Sequence, residues 1–213
     1  EPLLYNISMD SEFYYEARRI LDNLKSIYPI PSELFDNSGF TPVHCACECD
    51  SIDFLRKYLN IKSPYINPNV SLPESWSPLH IAILKNNKKA AQVLINEYHA
   101  NVNIVGKSNS TPLHIASQLT DDSMIIFLLE NDANPNCPDS DFNSPLMKAI
   151  QSNSYKAVET LIQAGADFTM PNKNKSTPLH FACKYGSKEI VEILLKNNVK
   201  ITKNEIFELD NYI

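Results

Sequence analysis

The stretch STPLHIAS, residues 110–117, sets a turn signal directly before a run with helical character. Pro112 suits the first position of a helix, because its missing N–H would have had no partner there, and Thr111 can cap that helix. The Thr-Pro pair therefore predicts a helix start. Leu113 and Ala116 lie three residues apart, which predicts that they share the buried face of a short first helix.

The same pattern occurs five times along the 213-residue chain. Each copy has Thr or Ser, then Pro, an apolar residue, His or Met, and an Ala two residues later. The prolines that mark the copies are separated by 36, 34, 33 and 33 residues: Pro42, Pro78, Pro112, Pro145 and Pro178. A regular period of this size indicates stacked repeats, so one elongated array is predicted, with a core renewed at every repeat.

A second apolar run follows each copy, as in MIIFLL, residues 124–129, and predicts a second helix with a broad apolar face. The chain has only four glycines. Gly165 is predicted to close one of the second helices, but other turns must place different residues at positive φ, where Asn and Asp are the tolerated substitutes.

With these residues the sequence resembles the ankyrin-repeat family, whose repeats carry T-P-L-H-x-A at this period. The resemblance covers residues 36–201. It implies an all-α fold, an ankyrin-repeat solenoid of stacked antiparallel helix pairs with projecting β-hairpin loops. The repeats are assigned to residues 36–69, 70–104, 105–137, 138–170 and 171–201.

The sequence departs from the ankyrin-repeat pattern at two places, and both ends of the chain are predicted to form caps. Residues 60–75 are longer than expected and hold three prolines, which predicts an irregular first finger, and Met147 stands where His is usual. Apolar residues on one helical face predict an N-terminal capping helix within residues 1–35. Residues 202–213 are predicted to form a truncated C-terminal cap.

Composition excludes several classes of partner. A formal net charge of −6 argues against direct binding of nucleic acid, which depends on Lys and Arg. No apolar run approaches the roughly 18 residues that cross a bilayer, so no membrane insertion is expected. Five cysteines without regular spacing predict free thiols in a reducing compartment, and hence an intracellular protein that is cytoplasmic or nuclear. The protein is also expected to be monomeric on its own.

The segment HCACEC, residues 44–49, is the most metal-like. At about 100° per helical residue, however, Cys45 and Cys49 share a face while Cys47 points away from them. Structural thiols are therefore favoured, with a zinc site and redox sensing as alternatives. The repeated histidines sit on helices about 8–10 Å apart, too far to share one ion at about 2 Å. Each is therefore predicted to bond locally within its own repeat.

No phosphate loop, nucleophile elbow or H-E-x-x-H motif is present. The sequence thus predicts a protein that is not an enzyme, with no catalytic residues, cofactor or metal. The resemblance also singles out Asn103 and Asn136, which match the finger asparagine that asparaginyl hydroxylases modify in some ankyrin repeats. A turn-stabilising role is the favoured interpretation.

The resemblance implies that a partner protein, as a peptide or helix, binds the concave, finger-side surface. Four positions of each repeat are expected to face it: the residue before Thr/Ser, the residue after His, and the residues two and three positions past the Ala. The resulting protein-binding candidates are Phe40, Trp76, Ile81, Leu84, Lys85, Ile115, Leu119, Lys148, Phe181, Lys184 and Tyr185. Their apolar members in repeats one to three predict a docking patch, unless adjacent hairpins or the N-terminal helix cover it.

Lysines 85, 148, 173, 175 and 184 add a positive bias, which favours acidic residues on the partner. Three functions remain open from the sequence. The first is a non-catalytic module that binds another protein through the concave face and hairpin fingers. The others are a substrate-recruiting or targeting region of a larger enzyme or effector, and an inhibitor that masks a transcription factor.

Overall fold

The computed structural model describes residues 42–48, 51–60, 67–69 and 76–197, with the backbone alone for Pro42 and Cys45. The predicted capping helix, the C-terminal cap, most of the first finger, and the candidate Phe40 lie outside the described residues. The chain divides into two compact units, Glu1–Asn101 and Val102–Ile213.

The first unit holds two helix pairs. Their helices are α1 (Pro42–Glu48), α2 (Ile52–Leu59), α3 (Pro78–Leu84) and α4 (Lys88–Gln92), the last continuing as a π-helical turn over Val93–Glu97. Each first helix packs on the second helix of its own pair, α1 on α2 and α3 on α4. Between the pairs, α1 contacts α3 and α2 contacts α4. Equivalent helices of the two repeats are therefore neighbours.

The second unit holds three more pairs. Its helices are α5 (Pro112–Ala116), α6 (Ser123–Glu130), α7 (Pro145–Gln151), α8 (Tyr155–Gln163), α9 (Pro178–Tyr185) and α10 (Lys188–Lys196). The first helices α5, α7 and α9 pack in succession, and so do the second helices α6, α8 and α10. No strand occurs among the residues that the structure describes, and the all-α prediction is confirmed.

The repeated pattern forms the core as its spacing predicts. Leu113 and Ala116 are 1% and 0% exposed, and Leu146 and Ala149 of the next repeat are both fully buried. Burying one leucine side chain stabilises a fold by roughly 1.5–3 kcal/mol. The alanine side chain is small enough to let the neighbouring helix approach closely, so the pair supplies both burial and close packing.

The Thr/Ser-Pro pairs start helices, as predicted. Ser77 and Thr111 are the N-cap residues of α3 and α5, with proline in the first turn. The Ser77 hydroxyl accepts a bond from the backbone N–H of His80, three residues further on. In both helices the N-cap N–H donates to the ring of the residue three further on, which is the repeated histidine. Because His occupies the position where capping boxes usually have Glu or Gln, one side chain closes the helix start without adding charge.

The π-helical turn has a cause in the repeat length. Pro78 and Pro112 are 34 residues apart, one more than in the two following repeats. In the second unit, Ala133 N–H bonds to Leu128 O five residues back, whereas Ala100 N–H bonds to Leu94 O six residues back. The extra residue therefore lies at the end of the second helix, where the wider turn accommodates it without shifting the core.

Three tight turns, called fingers here, connect the helix pairs: residues 106–110, 139–143 and 172–176. Each is closed by one backbone bond of 2.9 Å from its first residue to its fifth, as from Asp139 N–H to Asn143 O. Neighbouring fingers are also joined, by Ser140 N–H to Ser108 O at 2.8 Å and Lys173 N–H to Asp141 O at 2.9 Å. The hairpin loops are thus short turns linked edge to edge.

Several turns hold non-glycine residues at positive φ, as the low glycine count predicts. They are Asn86, His99, Ser108, Asn109, Asp132, Phe142, Asn153 and Lys175, at φ between 51° and 65°. One position recurs directly after the second helix, with His99, Asp132 and Gly165 at φ 53°, 65° and 83°. A left-handed conformation costs a non-glycine residue roughly 1–2 kcal/mol.

This position allows one prediction with opposite substitutions. We expect His99→Gly to raise the free energy of unfolding by about 0.5 kcal/mol, because relief of strain exceeds the lost chain entropy. Gly165→Ala should lower it by about 1 kcal/mol, since the added Cβ would meet nothing within 4 Å and only backbone strain remains. Urea unfolding of both variants checks the pair. Two changes of the same sign would contradict the explanation.

Candidate functional site

The repeated histidine links consecutive repeats. In α3 the Nδ1 atom of His80 accepts from Ser77 N–H at 3.2 Å and lies 2.8 Å from the Ser77 hydroxyl. In the second unit the Nε2 atom of His114 lies 3.1 Å from Asn143 O, in the next repeat. His44 makes the same contact across the first unit, 2.8 Å from Trp76 O. The local bond was predicted from the sequence, whereas the bond to the next repeat was not.

These partners fix the protonation state of the ring. A carbonyl oxygen accepts, so Nε2 of His114 carries the proton, and Nδ1 is left to accept from Thr111 N–H at 3.1 Å. A second proton on Nδ1 would point at another donor. Burial lowers the pKa of His114, against the smaller effect of the Asn143 carbonyl. It also lowers the pKa of His44, to about 4.

Met147 occupies the histidine position of the fourth repeat and is fully buried. Its backbone N–H still bonds to the Ser144 hydroxyl, so the helix cap survives. The connection to the next finger runs elsewhere, from the Asn172 amide to the Asn143 side-chain oxygen at 2.9 Å. The repeat therefore replaces a histidine link with an amide link.

The two asparagines that resemble modification sites are bonded across repeats through both amide atoms. The side-chain oxygen of Asn103 accepts from Asn134 N–H at 2.8 Å, and its amide donates to Asp132 O at 3.0 Å. Asn136 repeats the arrangement one repeat later, with Asp167 N–H at 2.7 Å and Gly165 O at 3.1 Å. This geometry accounts for the turn-stabilising role; modification stays a prediction.

An ion pair that the sequence analysis missed joins a finger to a helix. The Lys148 ammonium lies 2.9 Å from a carboxylate oxygen of Asp139, which is 5% exposed. Burial raises the pKa of Asp139, but bonds from Lys148 and Asn143 outweigh it and hold that pKa below its usual value. Lys148, predicted to meet acidic residues of a partner, is thus bonded within its own repeat.

The first-unit candidates have different degrees of exposure. Trp76 is partly exposed, with its ring 5.2 Å from that of His80, and Leu84 is 50% exposed at the end of α3. Ile81, by contrast, is 3% exposed and belongs to the core. Lys85 forms an ion pair with Glu48 of the preceding repeat. Of these side chains, Trp76 and Leu84 are the ones that offer apolar surface to a partner.

The second-unit candidates separate in the same way. Ile115 is 6% exposed and lies in the core, while Leu119 is partly exposed. On α9, Phe181 and Tyr185 lie one turn apart with ring centroids 5.7 Å from each other, and Tyr185 is 39% exposed. Lys184 places its ammonium 4.8 Å from the centre of the Tyr185 ring. The open face of α9 is therefore aromatic and basic.

A charged network on the second helices was also missed. Arg56 of α2 donates two bonds, of 2.9 and 2.6 Å, to the carboxylate of Glu97 in the next repeat. Tyr98 donates to Arg56 O at 3.2 Å. The two-bond contact with Glu97 raises the pKa of Arg56 and lowers that of Glu97. The partners are 41 residues apart, so only the known stacking of the repeats could have suggested the pair.

The cysteine-rich segment is described only in part. Cys47 is fully buried, while the side chains of Cys45 and Cys49 lie outside the described residues, so its interpretation stays a prediction. Burial raises the pKa of the Cys137 and Cys183 thiols, which makes the reactive thiolate scarcer. Within the described ranges, no three His, Cys, Asp or Glu side chains gather as a metal site would require.

The histidine geometry predicts acid sensitivity. Between pH 6.5 and about 4 the unfolded chain binds a proton at His44 that the folded chain does not, so stability is lost as the pH falls. We expect His44→Met, which copies Met147, to reduce the loss of unfolding free energy between pH 7 and 4.5 by about 2 kcal/mol. Urea unfolding at both pH values measures it. Met147→Leu is the packing control and should leave the pH dependence unchanged; an equal loss in His44→Met would contradict the assignment.

The asparagine links predict a second effect. Asn103→Asp keeps the acceptor but removes the donor and sets a negative charge against Asp132 O, so it should lower the free energy of unfolding by about 1–2 kcal/mol. Asn134→Asp is the matched control, because the Asn134 side chain holds Asn136 N–H through its oxygen, which an aspartate retains. It should change stability by less than about 0.5 kcal/mol. Thermal or urea unfolding that ranked the two in reverse would refute the link.

Comparison with known proteins gives two kinds of match. A family model described as ankyrin repeats in three copies matches residues 57–139 and 121–205. The human transient receptor potential cation channel subfamily A member 1 is 32% identical over 98 residues, 46% of this chain and 8% of that protein. Delta-latroinsectotoxin-Lt1a of Latrodectus tredecimguttatus is 34% identical over 80 residues, 38% of this chain and 7% of the toxin. The chain thus spans less than a tenth of either relative.

The matched residues contain the four helix pairs from α3 to α10, with their Pro-started first helices and the asparagine links between repeats. Among the described helices, none has the length and apolar character needed to cross a membrane. The period, the helix pairs, the histidine position and the matched family model agree, and the chain belongs to the ankyrin-repeat family.

Proposed function

We propose that this protein binds a partner protein through its finger face, meaning the exposed side chains of the fingers and first helices. Ankyrin repeats are in general modules of protein–protein interaction and are typically non-catalytic. The observation that carries the proposal for this chain is Leu84, an apolar side chain half exposed on a first helix, in the same repeat as the partly exposed Trp76. Trp is enriched among the residues that dominate the binding energy of protein interfaces, and contiguous exposed apolar surface commonly marks an interaction site.

The polar groups that could serve chemistry are used for structure. The histidine rings of α3 and α5 close their own helix starts, and His114 also contacts the following finger. The Asn103 side chain is bonded through both its nitrogen and its oxygen. These contacts support a recognition surface held in place before a partner arrives. A surface of this kind loses little conformational entropy on binding, which favours affinity.

The buried positions of Ile81 and Ile115 narrow the proposed surface. Neither isoleucine can contact a partner unless the core unpacks. Trp76 and Leu84 therefore supply the apolar contact with the partner. A peptide or amphipathic helix that covers a Trp and a Leu from one repeat fits this arrangement, since helical ligands present apolar residues at spacings of three and four.

A second candidate function is that of a recruiting or targeting region within a larger enzyme or effector. The supporting observation is that the matched parts make up 8% and 7% of the two relatives, an ion channel subunit and a toxin by name. An immunoblot of source cells with an antibody to this chain tests it. A native product far heavier than 24.1 kDa supports the recruiting region, and one of that mass contradicts it.

The first proposal predicts the outcome of an interface substitution. We expect Trp76→Ala combined with Leu84→Asp to weaken retention of the native partner at least about tenfold, or about 1.4 kcal/mol, by removing the apolar contact. The measurement is affinity purification from source cells with the full chain, followed by titration of the captured partner.

Ile126→Asp is the matched control, because Ile126 is similarly exposed, at 41%, but lies on the second helix α6. It should leave binding within about twofold of the wild type, since surface changes away from a contact have small effects. Circular dichroism establishes that each variant is folded. Full retention by the folded double variant would exclude Trp76 and Leu84 as anchors.

A further inference from the structure

Phe142 of the second unit combines an exposed aromatic side chain with an unfavourable backbone conformation. It adopts φ 60° in a finger, the left-handed conformation that favours glycine, and is 51% exposed. A bulky side chain is strained in this conformation, and about half of the residue stays exposed, so burial offsets the strain only in part. Strain of this kind is maintained where a side chain has a task.

A basic stretch surrounds the next finger. Residues 168–188 contain four lysines and no acidic residue, in a chain whose net charge is −6. The Lys173 ammonium lies 5.6 Å from the centre of the Phe142 ring, and Lys173 N–H is bonded to Asp141 O. Lys173 also approaches the Asp141 carboxylate at 3.9 Å, but both side chains are more than half exposed, so this pair is weak.

The open face of α9 continues the same chemistry. Leu179 and Ala182 form its buried face, both 1% exposed, whereas Lys184 and Tyr185 lie on the exposed side. An aromatic ring and an ammonium group therefore occur together twice. Phe142 and Lys173 meet between neighbouring fingers, and Tyr185 and Lys184 meet on α9. Such pairs offer an apolar ring edge and a positive charge to the same ligand.

From this arrangement we infer that the surface formed by Phe142, Lys173, Lys184 and Tyr185, called the basic aromatic surface, receives an acidic protein segment that carries large apolar side chains. The charge selects the carboxylates, and the strained ring of Phe142 supplies the apolar contact. Because α9 has eight residues and is about 12 Å long, an extended segment of about four residues runs alongside it. The inference rests on the proposed function and names the partner's chemistry.

A nucleic acid is the competing polyanion. It is less favoured because the surface pairs each named lysine with an aromatic ring in a chain of net negative charge, which repels a phosphate backbone elsewhere. Lys148 does not add to the surface, since Asp139 already neutralises it. Local positive charge for the partner's carboxylates comes from Lys173 and Lys175 of the last finger and from Lys184 of α9.

The experiment uses the full chain and a random peptide library of about 12 residues displayed on phage, a length that covers the finger and α9 when extended. Selected sequences should be enriched in Asp and Glu together with Phe, Leu or Trp. Synthetic copies of the enriched peptides are then titrated by fluorescence anisotropy, with a labelled oligothymidine as the nucleic-acid probe. A selection without acidic enrichment would overturn the inference.

Charge reversal locates the peptide. We expect Lys173→Glu with Lys184→Glu to weaken the selected peptides at least about tenfold and to reduce the salt dependence of binding. Lys156→Glu with Lys89→Glu makes the same net change on second helices and should alter the affinity less than about threefold. Equal losses of peptide affinity in the two double variants would refute the inference. So would oligothymidine that binds as tightly as the peptides and is lost with Lys173→Glu and Lys184→Glu, because that result indicates a general polyanion surface.

Phe142→Gly separates recognition from folding. It removes both the strain and the ring, so it should raise thermal stability while weakening the acidic peptides about fivefold or more. Increased stability with unchanged affinity would show that the ring has no binding role. This test is independent of the test with Trp76 and Leu84. If the native partner is lost only when Trp76 and Leu84 are substituted, the proposed function holds while the inference about the basic aromatic surface is refuted.

Discussion

The neutral histidine ring at the start of a first helix constrains much of this structure. Its Nδ1 atom must accept from the residue that caps its own helix, and its Nε2 atom donates to a carbonyl of the following repeat, as His114 does with Asn143. One side chain therefore fixes a local helix start and the distance to its neighbour at once. Since a second proton would break the local bond, the position requires a ring that stays neutral, and burial ensures this by lowering the pKa.

Asparagine side chains link the repeats in a similar way in the segments that precede the fingers. Asn103 and Asn136 each bond one repeat further on through a donor and an acceptor. Because these links set the spacing of the repeats, a change in repeat length has to be accommodated elsewhere. The π-helical turn over Val93–Glu97 does so at the end of a second helix, which leaves the first helix and the finger positions in register.

The sequence predicted what depends on local spacing and failed where contacts join different repeats. Proline position, caps and apolar spacing were enough to place the helices, because these signals act within a few residues. The pair of Arg56 with Glu97 needed the stacked geometry, and the pair of Asp139 with Lys148, although within one repeat, needed the position of a finger relative to the helix that follows it. Ile81 and Ile115 were expected to face a partner from their position after histidine, yet neighbouring helices bury them. Exposure depends on how closely repeats pack, and a single repeat does not contain that information.

The distribution of strain shows where such a stack leaves room for specificity. The core positions and the histidine links have little freedom, because each supports two repeats. A finger, however, is held by its closing backbone bond, by a backbone bond to its neighbour, and by the side chain of a first residue such as Asp139, which accepts from Asp141 and Asn143 N–H. None of these bonds uses the side chain of the residue at positive φ. The backbone can therefore keep Phe142 and Lys175 at φ 60° and 62° whatever those side chains are. Side chains that are costly for folding can be retained at the fingers without loosening the stack, so recognition can change there while the fold does not.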